Sequence, residues 1–450
     1  MKSLRTLKTF NTVALTALII VGMSVSGCDP LKVNNPNNLV ESDLNNPAAA
    51  KPMVNGEEAS VTRAINNMLP PYSVASGELI NIGSREAWDE LEYGNLDDPN
   101  NEFSDAAFPY MGEARWWSND VIQRLEAFKK NGTLKSGDEP ELARAYLYGG
   151  IIYSTIADMF QNFVFSDKST PGKPIGDNNM VKLYDDAIGY INKGLAINSI
   201  NDNLKTALLA MRARAYYSKA LWQKDHASPV DTMNPLINDA NAVADAKAAL
   251  NLMSGDYYYK LNITPSTPGI LGGNGLGGQV NVNLYLRISG TYIVPSDNGK
   301  TVKDLSSPST SISMTDPIDS IPDPVLYNRI KTFTESQQYD DIIVTSKREM
   351  LLILAESDLA QSDMNGFTTE INKLRALNNL TPYSGQIPAT KLLEYERRVN
   401  LFLQGRLLND EYRFDEKSKE WKSNSTAVTK PGTFFPITIT ERRANPYLSE

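Results

Sequence analysis

Cysteine and histidine are almost missing from this sequence. Its 450 residues hold one Cys, Cys28, and one His, His226. A lone thiol near the start leaves the body without disulfides or a thiol nucleophile, and excludes Cys-based zinc sites and iron–sulfur clusters. One histidine cannot build a two-histidine metal site or an HExxH helix. In "WQKDHASP", beside Pro229, it reads as a loop residue. No catalytic metal and no redox cofactor is therefore expected. Positive charge is also in short supply: 44 Lys and Arg against 53 Asp and Glu give a formal net charge of −9. That sign argues against nucleic acid as a partner. Long apolar runs are missing too. The run from Val13 to Val25 spans roughly 13 residues, short of the ~20 that a membrane-crossing helix needs, and no other approaches that length.

What is present near the start has a recognisable order. Lys2, Arg5 and Lys8 form a basic region, the apolar run follows, and Val25-Ser26-Gly27-Cys28 closes it. This resembles a bacterial lipobox, in which small residues fit the signal peptidase and the cysteine sulfur receives a lipid. The competing reading is an ordinary secretory leader with an incidental cysteine. On the favoured reading residues 1–27 are a signal peptide and Cys28 becomes the acylated first residue. Its lipid is then the only membrane anchor, at about 0.8 kcal/mol per buried methylene. Asp29 leaves open which membrane face the anchor addresses. Residues 28–55, rich in Asn and Pro, read as an extended tether.

Beyond residue 56 the length allows two or three domains or one helical array, and the pattern turns helical. Leu142, Tyr146, Gly149, Tyr153, Ile156 and Phe160 recur at intervals of three and four, so they line one helical face. Pro140 among acidic residues suits a helix start. Tyr184, Ile188, Ile191 and Leu195 outline a second helix; Leu204, Leu208, Met211, Ala215, Ser218 and Trp222 a third; Leu236, Ala240, Val243 and Leu250 a fourth. Such helices read like degenerate tetratricopeptide pairs, recurring at about 60 residues rather than the usual 34. Residues 255–342 read as a loop-rich insertion. Within it "QVNVNLYLRI" (279–288) alternates as a strand does. Gly273, Gly275 and Gly278 formally satisfy GxGxxG, but a strand follows where a dinucleotide fold needs a helix, so the segment reads as a flexible loop. Helical pattern returns over 343–410, and the single helix expected across 389–414 places Arg406 four residues before Asp410, where the two can pair.

Several stretches in this order resemble the SusD/RagB family of surface lipoproteins: "ELARAYLYGGIIYSTIADMFQN", "LYDDAIGYINKGLAI", "KREMLLILAESDLAQ", "INKLRALNNL", "YERRVNLFLQGRLLNDEYRF" and "FFPITITERRANPYLSE". They span residues 140–450; residues 28–139 match more loosely. Asn400 and Gln404 stand where the family usually has Glu, and Asn379 replaces a glycine. The resemblance implies a mainly α fold, a right-handed superhelix of degenerate tetratricopeptide-like helix pairs with long loops and minor β structure. Residues 56–450 form its single domain. It further implies a non-enzymatic protein of the outer membrane, lipid-anchored and facing the cell surface. Such a protein captures a nutrient oligomer, most often a glycan and in some members a peptide, and delivers it as the lid of a SusC-type TonB-dependent transporter.

Sugar recognition asks for flat aromatic faces on loops with amide and charged groups beside them. Tyr72, Trp88, Tyr93, Phe103 and Tyr110 fall in the least helical part of the N-terminal half, where the family often places part of its ligand site. Trp88, with Asn81, Arg85 and Asp89 around it, is the leading candidate, joined by Tyr72 and Tyr93. Tyr257, Tyr258 and Tyr259 are a second possible platform, since three in a row cannot all point inward. Trp116 and Trp117 share a patterned helix, where at least one should be core, and Trp222 reads as packing. Two other functions compete. One is a periplasm-facing tetratricopeptide-like scaffold that binds protein partners. The other is a glycoside hydrolase using two carboxylates among Glu86, Asp89, Glu90 and Glu92, although acidic runs are usually solvated faces.

Overall fold

A computed structural model describes residues 43–167, 169–265 and 273–448. The leader, Cys28 and residues 28–42 of the tether lie outside the described residues. The chain divides after Asn46 into two compact units. Of the first, Asp43–Asn46 is described and holds one 3-10 turn at Asp43–Asn45. The second runs from Pro47 to Glu450. It begins inside the segment expected to be extended, because its first long helix starts at Ala50.

In chain order that unit contains α1 (Ala50–Ala75), β1 (Leu79–Asn81), α2 (Glu86–Glu92), α3 (Glu102–Lys130), α4 (Glu139–Met159), α5 (Lys182–Leu195), α6 (Asp202–Asp225) and α7 (Ala240–Leu252). There follow β2 (Tyr258–Leu261), β3 (Leu286–Ile288), α8 (Pro324–Glu335), β4 (Ile342–Ser346), α9 (Lys347–Ala360), α10 (Met364–Ala376), α11 (Ala389–Asn400) and α12 (Leu407–Arg413). The fold is mainly α, as expected. Helix starts follow local chemistry. Asn101, Asn201, Asp239, Asp323, Ser346 and Asp363 each accept backbone N–H bonds at the start of the helix that follows, satisfying donors the helix itself leaves open. Pro140 sits in the first turn of α4, where its missing N–H costs nothing.

The most extensive helix packing joins α1 with α3, α4 with α5, α6 with α7, and α9 with α10, giving four pairs. Helix α4 is more deeply placed than a one-faced pattern implies: every residue from Ala145 to Met159 is buried. Gly150 permits this, since a Cβ there would lie 2.7 Å from Ile191 Cγ1 of α5. In α7 the inward face is Ala242, Asp245, Ala246 and Ala249 rather than the expected Leu236, Ala240, Val243 and Leu250. The alanines pack against Ala210 and Ala213 of α6, while the larger Val243 and Leu250 sit at the margin of the cluster. Small residues allow the closer approach and so decide which face turns in.

The insertion is less loop-like than expected, for it contains α8 and the strands β2 and β3, and β4 starts at its last residue. Two antiparallel ladders tie it down, β1 with β3 and β2 with β4. Only Leu286–Ile288 of the expected 279–288 strand is extended; Gly278–Val282 forms a π-helical turn. The glycine loop before it is tied to α1 from Gly273 onward. Asn66 of α1 donates from Nδ2 to Gly273 O (3.1 Å) and accepts from Gly275 N (2.6 Å). A Cβ on Gly275 would stand 2.3 Å from Asn66 O. These glycines therefore serve close backbone packing.

The C-terminal motifs build a buried ionic core. Glu356 and Arg413 are both fully buried and ion-paired, and Arg413 also donates to Asp410 Oδ1 (2.8 and 3.0 Å). Arg397 bonds Asp410 Oδ2 at 2.9 Å. Arg375 binds Asp316 and Glu396, each at 2.8 Å. The expected Arg406–Asp410 pair does not form. The chain breaks between α11 and α12, with Leu403 and Gly405 at positive φ (58° and 67°), and Arg406 turns instead to Asp158 of α4 at 2.5 Å. The departures from the family pattern also find roles. Asn400 accepts from Arg348 Nη1 (2.7 Å) and donates to Glu396 (2.9 Å). Asn379 adopts φ 56°, a left-handed conformation that Asn tolerates better than most residues in place of Gly.

Candidate functional site

The residues singled out around Trp88 separate into an inner and an outer set, and helical geometry explains the division. In α2, Trp88 and Leu91 are three apart and both turn inward, each 1% exposed. Arg85, Asp89 and Tyr93 are spaced by four and take the outer side. Trp88 stacks on Phe103 with centroids 3.5 Å apart and planes 12° apart. Tyr72 is 0% exposed and donates its hydroxyl to Asn409 Oδ1 at 2.7 Å. Neither ring can act as a surface platform, which corrects the leading expectation. The reason is hydrophobic: both rings gain more from packing than a short loop could leave them in water. Tyr110 is half-buried beneath the Arg63 guanidinium, 4.8 Å from its centroid.

The outer set does come together. Asn81, at the end of β1, donates from Nδ2 to Asp89 Oδ1 (2.8 Å), and its backbone N–H reaches Glu92 Oε2 (2.5 Å). The β1–β3 ladder pairs Asn81 with Leu286. One step outward, Ile82 N donates to Tyr285 O at 3.0 Å, so Tyr285 stands beside this turn with half its surface exposed. Arg85 is solvent-facing and ion-paired with Glu102. Lys422 lies over the Tyr93 ring at 3.4 Å and donates its backbone N–H to Tyr93 O. The result is a surface with one exposed ring, Tyr285, and a half-buried one, Tyr93, lying under Lys422, together with cationic, amide and carboxylate groups.

Its electrostatics are mixed. Burial raises the Glu92 carboxyl above the usual range, against the lowering effect of the bond from Asn81 N–H. The negative charge of Asp89 is the main influence raising the Tyr93 phenol. Burial lowers the Arg287 guanidinium, which donates to Gly299 O at 2.8 Å. Donors, an acceptor carboxylate and flat apolar faces can hold a polyhydroxylated ligand. The carboxylates weighed for hydrolysis have structural partners: Glu90 accepts from the Asn101 side chain (3.0 Å), Glu92 from Asn81 N and Asp89 from Asn81 Nδ2. Glu86 is exposed.

The remaining aromatics fall elsewhere. Trp116 and Trp117 are both half-buried, edge to face at 5.1 Å, so neither is the core residue expected. Trp116 lines a groove of about 300 Å³ with Phe108, Glu113, Asp167 and Glu441. Trp222 stacks on His226 at 3.9 Å, and His226 stacks in turn on Phe434. His226 is thus a packed helix-capping residue rather than a loop histidine. Burial lowers its imidazole to about 4. Tyr257, Tyr258 and Tyr259 are all half-buried. Among the described residues no group of three or more His, Cys, Asp or Glu could hold a metal ion, and no helix is long and apolar enough to cross a membrane. Tyr285 was missed in the sequence because it lies in a segment read as a strand, nearly two hundred residues from Trp88. Its signal was an aromatic in phase with the polar positions Gln279, Asn281, Asn283 and Arg287 of the alternation.

No protein-family model and no curated protein matches the sequence. Solved structures do match the fold. A SusD superfamily protein from Bacteroides thetaiotaomicron is 13% identical with a TM-score of 0.61, covering 89% of this chain and 97% of its own. A second from the same organism is 15% identical with a TM-score of 0.59, covering 89% and 98%. A structure with xylogluco-oligosaccharide is 12% identical with a TM-score of 0.61, again covering 89% and 98%. The chain therefore has the fold of the SusD superfamily.

Proposed function

We propose that this chain is a SusD/RagB-family lipoprotein that binds a nutrient oligosaccharide at the cell surface and hands it to a SusC-type TonB-dependent transporter. Lipid on Cys28 would anchor it to the outer membrane, and it would carry out no chemistry on its ligand. The observation that carries this reading is the surface formed by Asn81, Arg85, Asp89, Tyr93 and Tyr285 on a SusD-type fold. The exposed Tyr285 ring can stack on the apolar face of a pyranose, while the amide, guanidinium and carboxylate bond its hydroxyls. The likeness to a structure solved with xylogluco-oligosaccharide supports a glycan as the ligand class.

A glycan array followed by calorimetry on its hits tests the ligand. An aromatic contact contributes about 0.5–1.5 kcal/mol, so Tyr285→Ala should weaken binding by roughly two- to twelvefold. No glycan bound, or unchanged affinity in the variant, would remove this surface from consideration. Protease treatment of intact cells tests the location. Cleavage without lysis is the expected result, and full protection would favour the periplasm-facing scaffold. Persistent release of shortened products from a bound glycan would instead establish a hydrolase.

A further inference from the structure

A second cleft, of about 310 Å³, shares no residue with the surface described above. One wall is a single face of α8: Val325, Asn328, Arg329 and Thr332 recur at three and four. Tyr258 and Lys260 of β2 and Ile343 of β4 face that wall, while Arg348, Asn400 and Gln404 close the bottom. The bottom is buried and polar, with Arg348, Asn400 and Gln404 between 4% and 7% exposed. The rim is open, for Asn328 and Thr332 are exposed.

The charges of the cleft are already balanced within it. Arg329 grips Asp340 with two bonds, 2.7 and 3.1 Å. Arg348 holds Asp256 at 2.8–3.1 Å and donates to Asn400 Oδ1 at 2.7 Å. Lys260 lies 3.9 Å from Asp341. Three cations face three anions, so a ligand carrying net charge would have to unbalance a pair that is partly out of water. What the cleft presents is a set of fixed hydrogen-bonding edges and two half-buried apolar groups, the Tyr258 ring and Ile343, backed by the buried Val325 and Val399. The volume is at the small end for ligand pockets, about 300–1,000 Å³, and leaves no room for an oligomer.

We propose that this cleft binds one neutral pyranose, as a site separate from the oligosaccharide surface. The ring's apolar face meets the half-buried Tyr258 and Ile343, and its hydroxyls meet the Asn, Thr and ion-paired edges. The proposal does not rest on the function inferred above, and its test keeps the two apart.

Full-chain protein is titrated calorimetrically with D-glucose, D-galactose and D-xylose, alongside D-glucuronate and D-glucosamine as charged counterparts. A ligand of about twelve heavy atoms at ordinary ligand efficiency should bind in the low millimolar range. At least one neutral sugar should do so, with the charged sugars tenfold weaker or worse. Thr332→Trp, placed on the open rim, should abolish that binding and leave oligosaccharide binding intact; Tyr285→Ala should weaken oligosaccharide binding by roughly two- to twelvefold and leave neutral-sugar binding intact. Asn328→Trp serves the same purpose should the first variant fold poorly. The proposal is overturned if no neutral sugar binds, if a charged one binds more tightly, or if the folded rim variants bind as the parent does.

Discussion

Loss of the Glu356 carboxylate should cost this fold heavily for the few atoms removed. That carboxylate is fully buried and meets the Arg413 guanidinium, the Tyr217 hydroxyl at 2.7 Å and the Ile237 N–H at 2.8 Å, with Arg397 at 3.6 Å. Glu356 and Asp410 together balance Arg397 and Arg413. In Glu356→Ala the cluster keeps one uncompensated positive charge out of water, which costs about 3–5 kcal/mol. The Ile237 N–H also loses its acceptor, so the total should reach at least about 4 kcal/mol. A folded unit of about 400 residues at about 2.1 cal/mol/K each has a melting entropy near 0.8 kcal/mol/K, which converts the loss into a fall of about 5 °C in Tm. Thermal unfolding of purified protein measures it. Replacing Glu356 and Arg413 together by Met removes one charge of each sign and should recover part of the loss. A single variant melting within about 1 °C of the parent would refute the reasoning, as would a double variant less stable than the single one.

Two further predictions concern stability. Because burial holds His226 at about 4, below its unfolded value of about 6.5, the unfolded chain binds more protons between these values. The contribution of His226 is therefore complete above about pH 6.5 and is lost as pH falls through about 4, a difference of about 3 kcal/mol. Burial raises Glu78 and Glu396 to about 7, and their contributions run the other way, lost as pH rises from about 4.5 through 7. The His226 effect is thus read as the difference between parent and His226→Phe across pH 4–7, and a pH-independent difference would refute it. Gly275→Ala must move backbone, since its Cβ would meet Asn66 O at 2.3 Å; a loss of about 1–3 kcal/mol is expected. Gly189→Ala has nothing within 4 Å and should be neutral or slightly stabilising. Equal melting of these two glycine variants would contradict the packing role of the loop.

Helix content, helix starts and the SusD-like pattern could be read from the chain because each depends on neighbours within a few residues. Capping needs an Asn, Asp or Ser at the right offset, and amphipathic spacing repeats along one helix. The lone cysteine and the acid excess narrowed the chemistry for the same reason, since composition needs no coordinates. Tertiary structure decided what depends on distant partners. Trp88 went inward because Phe103 was there to cover it, and Tyr72 because Asn409 met its hydroxyl. Arg406 chose Asp158 over Asp410 once the break at Leu403–Gly405 left it capping α12 instead of continuing α11. Tyr285 joined Asn81 and Arg85 only through the β1–β3 ladder, a contact across some two hundred residues that no local pattern encodes. A short segment specifies its own turn and which of its sides is apolar. Which ring is covered, which charge is matched and which surface stays open are set by the free energy of the whole packed unit.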